Sequence, residues 1–283
     1  MQIRNLKSRL RAAFFMMSIG SQRSSTAPAP AWCWWLAVLF VLSGCTTVPR
    51  ETATLAVTPW AQASIVAVPD PAGGPARGWH HQALPGKKPV DFSSVHKDGR
   101  HVLAASGTSA ASVVRHRVRI EPAELTQVRF SWKVPQLIPA ADLAVRETDD
   151  SPVRVMLAFE GDRSKLSSRD LLLSELARTV TGEELPYATL MYVWCNQRAP
   201  GTVVRSPRTD RIRKLVLESG PDRLNQWLEY ERDIRADFER AFGEPPGALV
   251  GIALMTDGDN TRSLSRAWYG PVRLGRAGTV DAR

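Results

Sequence analysis

Cysteine is scarce in this chain of 283 residues: Cys33, Cys45 and Cys195 are the only three, and no pair of them has the spacing of a zinc site. The histidines show no i, i+4 helical pairing of the kind that holds catalytic zinc. No internal repeat is visible. A nucleophile elbow is also missing. Its nearest approach, Gly107-Thr-Ser109-Ala-Ala111, lacks the second glycine and leads into a strand pattern instead of a helix. The apolar run Trp32–Val41 has ten residues, too few to span a bilayer as a helix.

That short run sits where a secretory signal would place it. Residues 1–31 carry Arg4, Lys7, Arg9, Arg11 and Arg23 with no acid, the apolar core follows, and Leu42-Ser43-Gly44-Cys45 closes the segment. The tetrad resembles the bacterial lipobox. The resemblance implies a signal peptide over 1–44 and acylation of Cys45 as the first mature residue. It also implies a membrane-anchored protein of the cell envelope. Thr46 after the cysteine, in place of Asp, implies sorting to an outer membrane, facing the periplasm.

The net charge of +9 drops to +4 once the five basic residues before Cys45 are set aside. So modest a charge does not call for a nucleic-acid partner, and export argues further against one. Cys195 would be left as the only thiol of the folded part, so no intrachain disulfide is expected.

Residues 45–77 contain Pro49, Pro59, Pro69, Pro71, Pro75 and Gly73-Gly74, a composition expected of a flexible linker. A single domain over 78–276 and a disordered tail over 277–283 complete the expected organisation. Within the domain, period-two alternation dominates. Val128, Phe130, Trp132 and Val134 share one face of a strand; Val153, Val155, Leu157 and Phe159 share another. In 111–120, Arg115, Arg117 and Arg119 face away from Val114, His116, Val118 and Ile120. Further strands are expected at 79–84, 90–95, 100–105, 187–194, 212–218, 227–231, 249–255 and 268–274. Many short strands punctuated by Pro and Gly predict a mainly β fold, a two-sheet antiparallel sandwich of jelly-roll type. One or two short helices interrupt it. Ser167 or Ser168 caps a helix through Val180, with Leu172, Leu173, Leu176 and Val180 on one side and Gly182 at its end. Asp233 to Phe242 reads as a second, anchored by Phe238 and Phe242.

The order of motifs resembles an uncharacterised bacterial family, domain of unknown function 3047. The matching pieces are Ser109-Ala-Ala-Ser112, Phe130-Ser-Trp-Lys-Val134, Asp149-Asp150 before Arg154, and Tyr192-Val-Trp194. Asp233-Ile-Arg-Ala-Asp-Phe238, Phe242-Gly243 and Gly251 through Thr261 follow. It is their collinear order that is specific. The resemblance implies an exported sandwich domain without an assigned activity, similar to carbohydrate-binding modules in architecture alone. Gly258 departs from it, standing where the family more often has Thr, which implies a looser loop backbone.

The strongest candidate site lies where the apolar segment 248–255, expected to be a central strand, runs into Asp257-Gly-Asp-Asn-Thr261. Asp257 and Asp259, with Asn260 and Thr261, supply oxygens that calcium accepts in irregular geometry, although Arg262 and Trp268 stand where an EF-hand needs Gly and Glu. A side-chain-capped turn explains the same residues. Asp149 and Asp150 precede the strand carrying Arg154, which could neutralise them. Asp149, Asp150, Arg154, Asp257, Asp259, Asn260 and Thr261 therefore form one candidate binding set, if the two acidic turns meet. Exposed aromatics beside them would mark sugar stacking, with Trp79, Trp194, Trp227 and Trp268 as candidates. Three readings follow: a sandwich binding a glycan or other envelope component, with calcium as a candidate ligand; a carbohydrate-active hydrolase or lyase using two of Asp149, Asp150, Glu160, Asp257 and Asp259; and a purely structural envelope protein. The balance of residues leans away from an enzyme.

Overall fold

The computed structural model describes residues 55, 57–64 and 78–276. The signal-peptide stretch, Cys45 and the tail from 277 lie outside the described residues. A one-turn helix α1 (Pro59–Ala63) comes first. Then follow β1 (His80–Ala83), β2 (Asp91–Lys97), β3 (Arg100–Thr108), β4 (Ala111–Ile120), β5 (Leu125–Lys133) and β6 (Ser151–Phe159). Helix α2 (Ser168–Thr181) leads to β7 (Ala188–Cys195), β8 (Val203–Arg205), β9 (Ile212–Ser219) and β10 (Leu228–Asp233). Helix α3 (Ile234–Phe242) leads to β11 (Leu249–Asp257), β12 (Leu264–Tyr269) and β13 (Arg273–Arg276).

The strands form two sheets. The first runs β1-β4-β11-β6-β7-β9-β8; the second runs β10-β5-β12-β3-β2, with β13 also on β5. Alternation decides what each strand buries. Val114, Val118 and Ile120 of β4, Val155, Leu157 and Phe159 of β6, and Leu190, Tyr192 and Trp194 of β7 meet Leu103, Val128, Phe130, Trp132 and Tyr269 of the other sheet in one core. Strand β11 is central, paired with β4 and β6. A second apolar cluster, Leu143, Met191, Val193, Cys195, Val204 and Val216, lies on the outer face of the first sheet, so that face is covered too.

Three features depart from the sequence expectation. The pairing is antiparallel except between β7 and β9, which run parallel. The chain leaves β7, lays β8 at the sheet edge and returns between the two as β9. The expected strand over 268–274 is broken at Gly270, where a Cβ would sit 2.0 Å from Ser131 Oγ, and its halves become the ends of β12 and β13. Finally, the expected flexible linker over 45–77 contains folded structure. Thr58 caps α1, its side chain accepting from the Ala61 N–H, and Pro59 starts the helix. Trp60 is fully buried against Trp79, its indole N–H donating to the Gly270 carbonyl at 3.0 Å. A tryptophan can bury enough surface to fix a proline-rich segment that composition alone marks as mobile.

Helix α2 has the expected caps: Ser167 Oγ accepts from the Asp170 N–H at 3.1 Å, and Gly182 takes a left-handed φ of 78°. Its orientation is the reverse of its apolar stripe. Asp170 and Ser174 are buried, while Leu172, Leu176 and Val180 are 70%, 58% and 58% exposed. Asp170 accepts from Thr209, and Ser174 Oγ accepts from Arg163 at 2.7 Å and from the Leu185 N–H at 3.2 Å. Polar contacts thus hold this helix to the loops around it.

Candidate functional site

The two acidic turns meet. Asp149 and Asp150 enter β6 beside the end of β11, and register pairs Ser151 with Asp257. Arg154 lies on the outer face of β6, since Val153 and Val155 point into the core. From there its Nε donates to Asp257 Oδ1 at 2.9 Å and its Nη2 to Asp257 Oδ2 at 3.0 Å, a bidentate pair. Nη2 also reaches Asp149 Oδ1 at 3.0 Å and the Asp149 carbonyl at 2.9 Å. The other oxygen of Asp149 accepts from Lys214 Nζ at 2.6 Å, and the same ammonium donates to the Leu143 carbonyl at 2.7 Å. All four charged side chains are buried and balance in pairs.

Asp150 is held differently. It meets no cationic side chain among the described residues and accepts four hydrogen bonds from the turn: the Asn260 N–H and Nδ2 at 3.3 and 2.8 Å, and the Thr261 N–H and Oγ1 at 2.7 and 2.6 Å. Asn260 Nδ2 also donates to the Asp149 carbonyl at 3.1 Å, and Asn260 Oδ1 accepts from Arg208 at 3.1 Å. Asp259 pairs with Lys87. Every residue of the candidate set therefore belongs to one cluster, joined by Lys214, Lys87 and Arg208, which sequence reasoning missed. For Lys214 the only signal was a lysine on the face of β9 that also carries Ile212 and Val216. The Gly258 backbone is not loose, because its N–H bonds to the Ala110 carbonyl at 3.0 Å and a Cβ there would lie 2.8 Å from the Ser263 carbonyl.

Burial sets the titration of these groups. It pushes the Asp257 carboxyl up to about 6 against the opposing pull of Arg154. It brings the Lys214 ammonium down to about 8, and Arg154 reinforces that by repulsion. Burial would raise Asp149, but Arg154 and Lys214 outweigh it and hold the carboxyl below its usual range. Arg154 is likewise raised: burial opposes its charge, and Asp257 with Asp149 more than restore it.

Asp150, Asp257 and Asp259 each offer an oxygen within 4.8 Å of the others, a spacing that suits a hard cation. Both oxygens of Asp257 already accept from Arg154, and those of Asp150 from the turn, so a dication would have to displace these donors. Of the five carboxylates weighed for glycoside hydrolysis, Asp149, Asp150, Asp257 and Asp259 lie together in this cluster. Glu160 lies past the far end of β6, paired with Arg119 at 2.9 Å. The other arginines of β4 are also paired: Arg115 and Arg117 share Glu183. His116 packs edge-on to Trp79, its ring centroid 5.5 Å away, and burial depresses its pKa.

The four tryptophans proposed for sugar stacking separate into two kinds. Trp79 and Trp194 are buried in the core, and Trp227 and Trp268 are half-buried. Trp268 pairs with Lys133, and Trp227 directly precedes Leu228, which pairs with Trp132. Trp227, Lys133 and Trp268 therefore form a row across β10, β5 and β12 on the outer face of the second sheet. The hairpin tip between β2 and β3 closes on this row. Asp98 accepts from Trp227 Nε1 at 2.9 Å and from Lys133 Nζ at 2.8 Å, Lys97 lies 4.3 Å over the Trp268 ring, and Arg100 lies 4.9 Å over the Trp227 ring. Asp98 is lowered in pKa by the hydrogen bonds from Lys133 and Trp227.

Two packed sheets of jelly-roll-like course, one with a buried ionic rim and the other with an aromatic outer face, define a β-sandwich domain. The family model described as "Protein of unknown function (DUF3047)" matches residues 77–273, and the chain belongs to that family. None of the curated proteins matches it. Among solved structures it is similar to the xyloglucanase domain of NopAA, a type three effector from Sinorhizobium fredii, in complex with cellobiose. That match has 9% identity and a TM-score of 0.37, over 70% of this chain and 93% of that one. A loop-swap mutant of Necallimastix patriciarum Xyn11A is similar at 8% identity and a TM-score of 0.34, over 72% of this chain and 93% of that one. At these scores neither likeness bears on activity.

Proposed function

We propose that this chain is an envelope lipoprotein, anchored through acyl chains on Cys45, whose sandwich binds a glycan on the outer face of its second sheet. The observation that carries the glycan reading is the Trp227-Lys133-Trp268 row. Two indoles separated by two strand spacings, roughly 10 Å, match the separation of alternate sugars in an extended chain, which would stack there in place of Lys97 and Arg100. Asp98, Lys133 and Arg100 surround them with the planar and charged hydrogen-bonding groups that orient hydroxyls. The buried cluster around Arg154 lies on the outer face of the first sheet and stiffens the sandwich without lining this site. Calcium enters the proposal at Asp150, Asp257 and Asp259, where it would compete with Lys87, Arg154 and the turn donors for the carboxylates. The anchor rests on the order of basic region, apolar run and Leu-Ser-Gly-Cys45.

The test is a glycan-array screen of the full chain with calcium and with chelator, repeated with Trp268→Ala and Trp227→Ala. Binding by the parent chain that either substitution weakens about tenfold or more supports the site, one stacked ring being worth ~1 kcal/mol or more. Signal that requires calcium supports the cation. No bound glycan under either condition overturns the reading and leaves a structural envelope protein.

A further inference from the structure

Helix α2 is attached to the domain by its polar side and presents its apolar side outward. At 3.6 residues per turn, Arg169, Leu172, Leu173, Leu176 and Val180 share one face. Leu172, Leu176 and Val180 are its exposed apolar members, and Leu173 at the edge of the face is half-buried. The helix is held by Asp170 with Thr209, and by Ser174 with Arg163 and Leu185, so folding does not require leucine on the outer side. A contiguous exposed apolar stripe of this kind marks a contact surface.

Three observations identify what covers it. The first is position. The Leu55 N–H donates to the Trp79 carbonyl at 2.9 Å, the neighbouring His80 pairs with Arg115, and Arg115 holds Glu183 at 2.6 and 2.8 Å, directly after the α2 cap. The point where the chain joins the domain and the C-terminal end of α2 are thus linked through a single strand pair. The second is reach. Ten residues separate Cys45 from Leu55, so an anchor on Cys45 keeps the Leu55 side of the domain within ~35 Å of the bilayer even when fully extended. The third is size and charge. A few side chains offer on the order of a few hundred Å2, below the ~1,000 Å2 of a stable protein pair, whereas a lipid-anchored protein needs only a second, weak membrane contact. Arg169, on the same face, makes no ion pair among the described residues and is suited to an anionic headgroup.

We infer that α2 lies on the surface of the membrane that holds Cys45, with Leu172, Leu176 and Val180 at the boundary of headgroups and acyl chains and Arg169 among anionic headgroups. This inference rests on the anchor reading above. Its test uses the full, processed chain in vesicles of phosphatidylethanolamine and phosphatidylglycerol. An environment-sensitive fluorophore is attached at Leu176→Cys or, as control, at Arg266→Cys on the outer face of the second sheet. Doxyl-labelled lipid is expected to quench the label at 176 several-fold more than at 266, and Leu172→Glu to bring the quenching at 176 down toward the level at 266. The intact mass of the N-terminal peptide reports acylation separately. An acylated Cys45 with equal quenching at both sites overturns the helix contact and leaves the anchor standing, whereas an unmodified Cys45 overturns both. A blue shift at 176 that needs no vesicles and grows with protein concentration assigns the face to a second copy and also overturns the inference.

Discussion

Arg154 closes a two-pronged hydrogen-bonded pair with Asp257, 103 residues further along the chain, at 2.9 and 3.0 Å. The pair ties the start of β6 to the end of β11 under almost complete burial. Planarity matters here, because the same guanidinium also reaches Asp149 at 3.0 Å.

Arg154→Met should therefore leave two carboxylates buried without their shared donor and lower stability by about 3–5 kcal/mol. Arg154→Lys should recover little of this, since an ammonium cannot form the fork. Urea denaturation of these variants and of Arg154→Met with Asp257→Leu measures it. The double variant is expected to be more stable than Arg154→Met alone, because it no longer buries an unpaired Asp257.

Lys214 gives a pH signature in the alkaline range. Its folded pKa is down to about 8 from an ordinary 10.5, so between those values the unfolded chain binds more protons than the folded one. Its titration then adds stability as pH rises from about 8 to 10.5. Subtracting the urea midpoints of Lys214→Met from those of the parent at each pH should expose a difference rising over that window. A flat difference would mean that the ammonium titrates normally.

On the acid side, Asp257 and Asp149 should act in opposite directions. The raised Asp257, at about 6 against 3.8, contributes stability below its unfolded pKa and loses it as pH rises through about 6. The lowered Asp149 contributes stability above 3.8 and loses it as pH falls through its folded value. Carboxyl carbon NMR of the folded chain should find Asp257 titrating last of the two. The reverse order would contradict burial as the controlling term.

Trp60 belongs to the domain's core. Trp60→Ala is expected to cost about 3–5 kcal/mol, as for other large buried side chains. A chain starting at residue 78 should show a comparable loss, and one starting at 52 should match the parent. Equal midpoints for all three in thermal denaturation would make α1 an ornament.

The sheets were legible because most strands keep a strict period of two, as Val128, Phe130 and Trp132 do, and core burial follows that alternation directly. The acidic turns could be named from the sequence, and so could Arg154, because short polar clusters at strand ends stand out. Their meeting depended on β11 lying next to β6, which no local pattern specifies. Lys214 was hidden because a lysine in a strand ordinarily marks solvent, and only the Asp149 carboxylate and the Leu143 carbonyl make its burial tolerable. The leucine stripe of helix α2 is plain in the sequence, but the way it faces is set by the polar anchors Asp170 and Ser174, whose partners lie 39 and 11 residues away. Trp60 was masked by the prolines around it.

The Leu55–Trp79 hydrogen bond and the Trp60 indole together decide how force would enter this molecule. A tug from the N-terminal side meets a knob seated in the core instead of a frayed strand end, and it is resisted by packing as well as by one backbone bond and one indole bond. Pulling from that side would therefore have to unseat Trp60 from the core before it could peel β1 from β4.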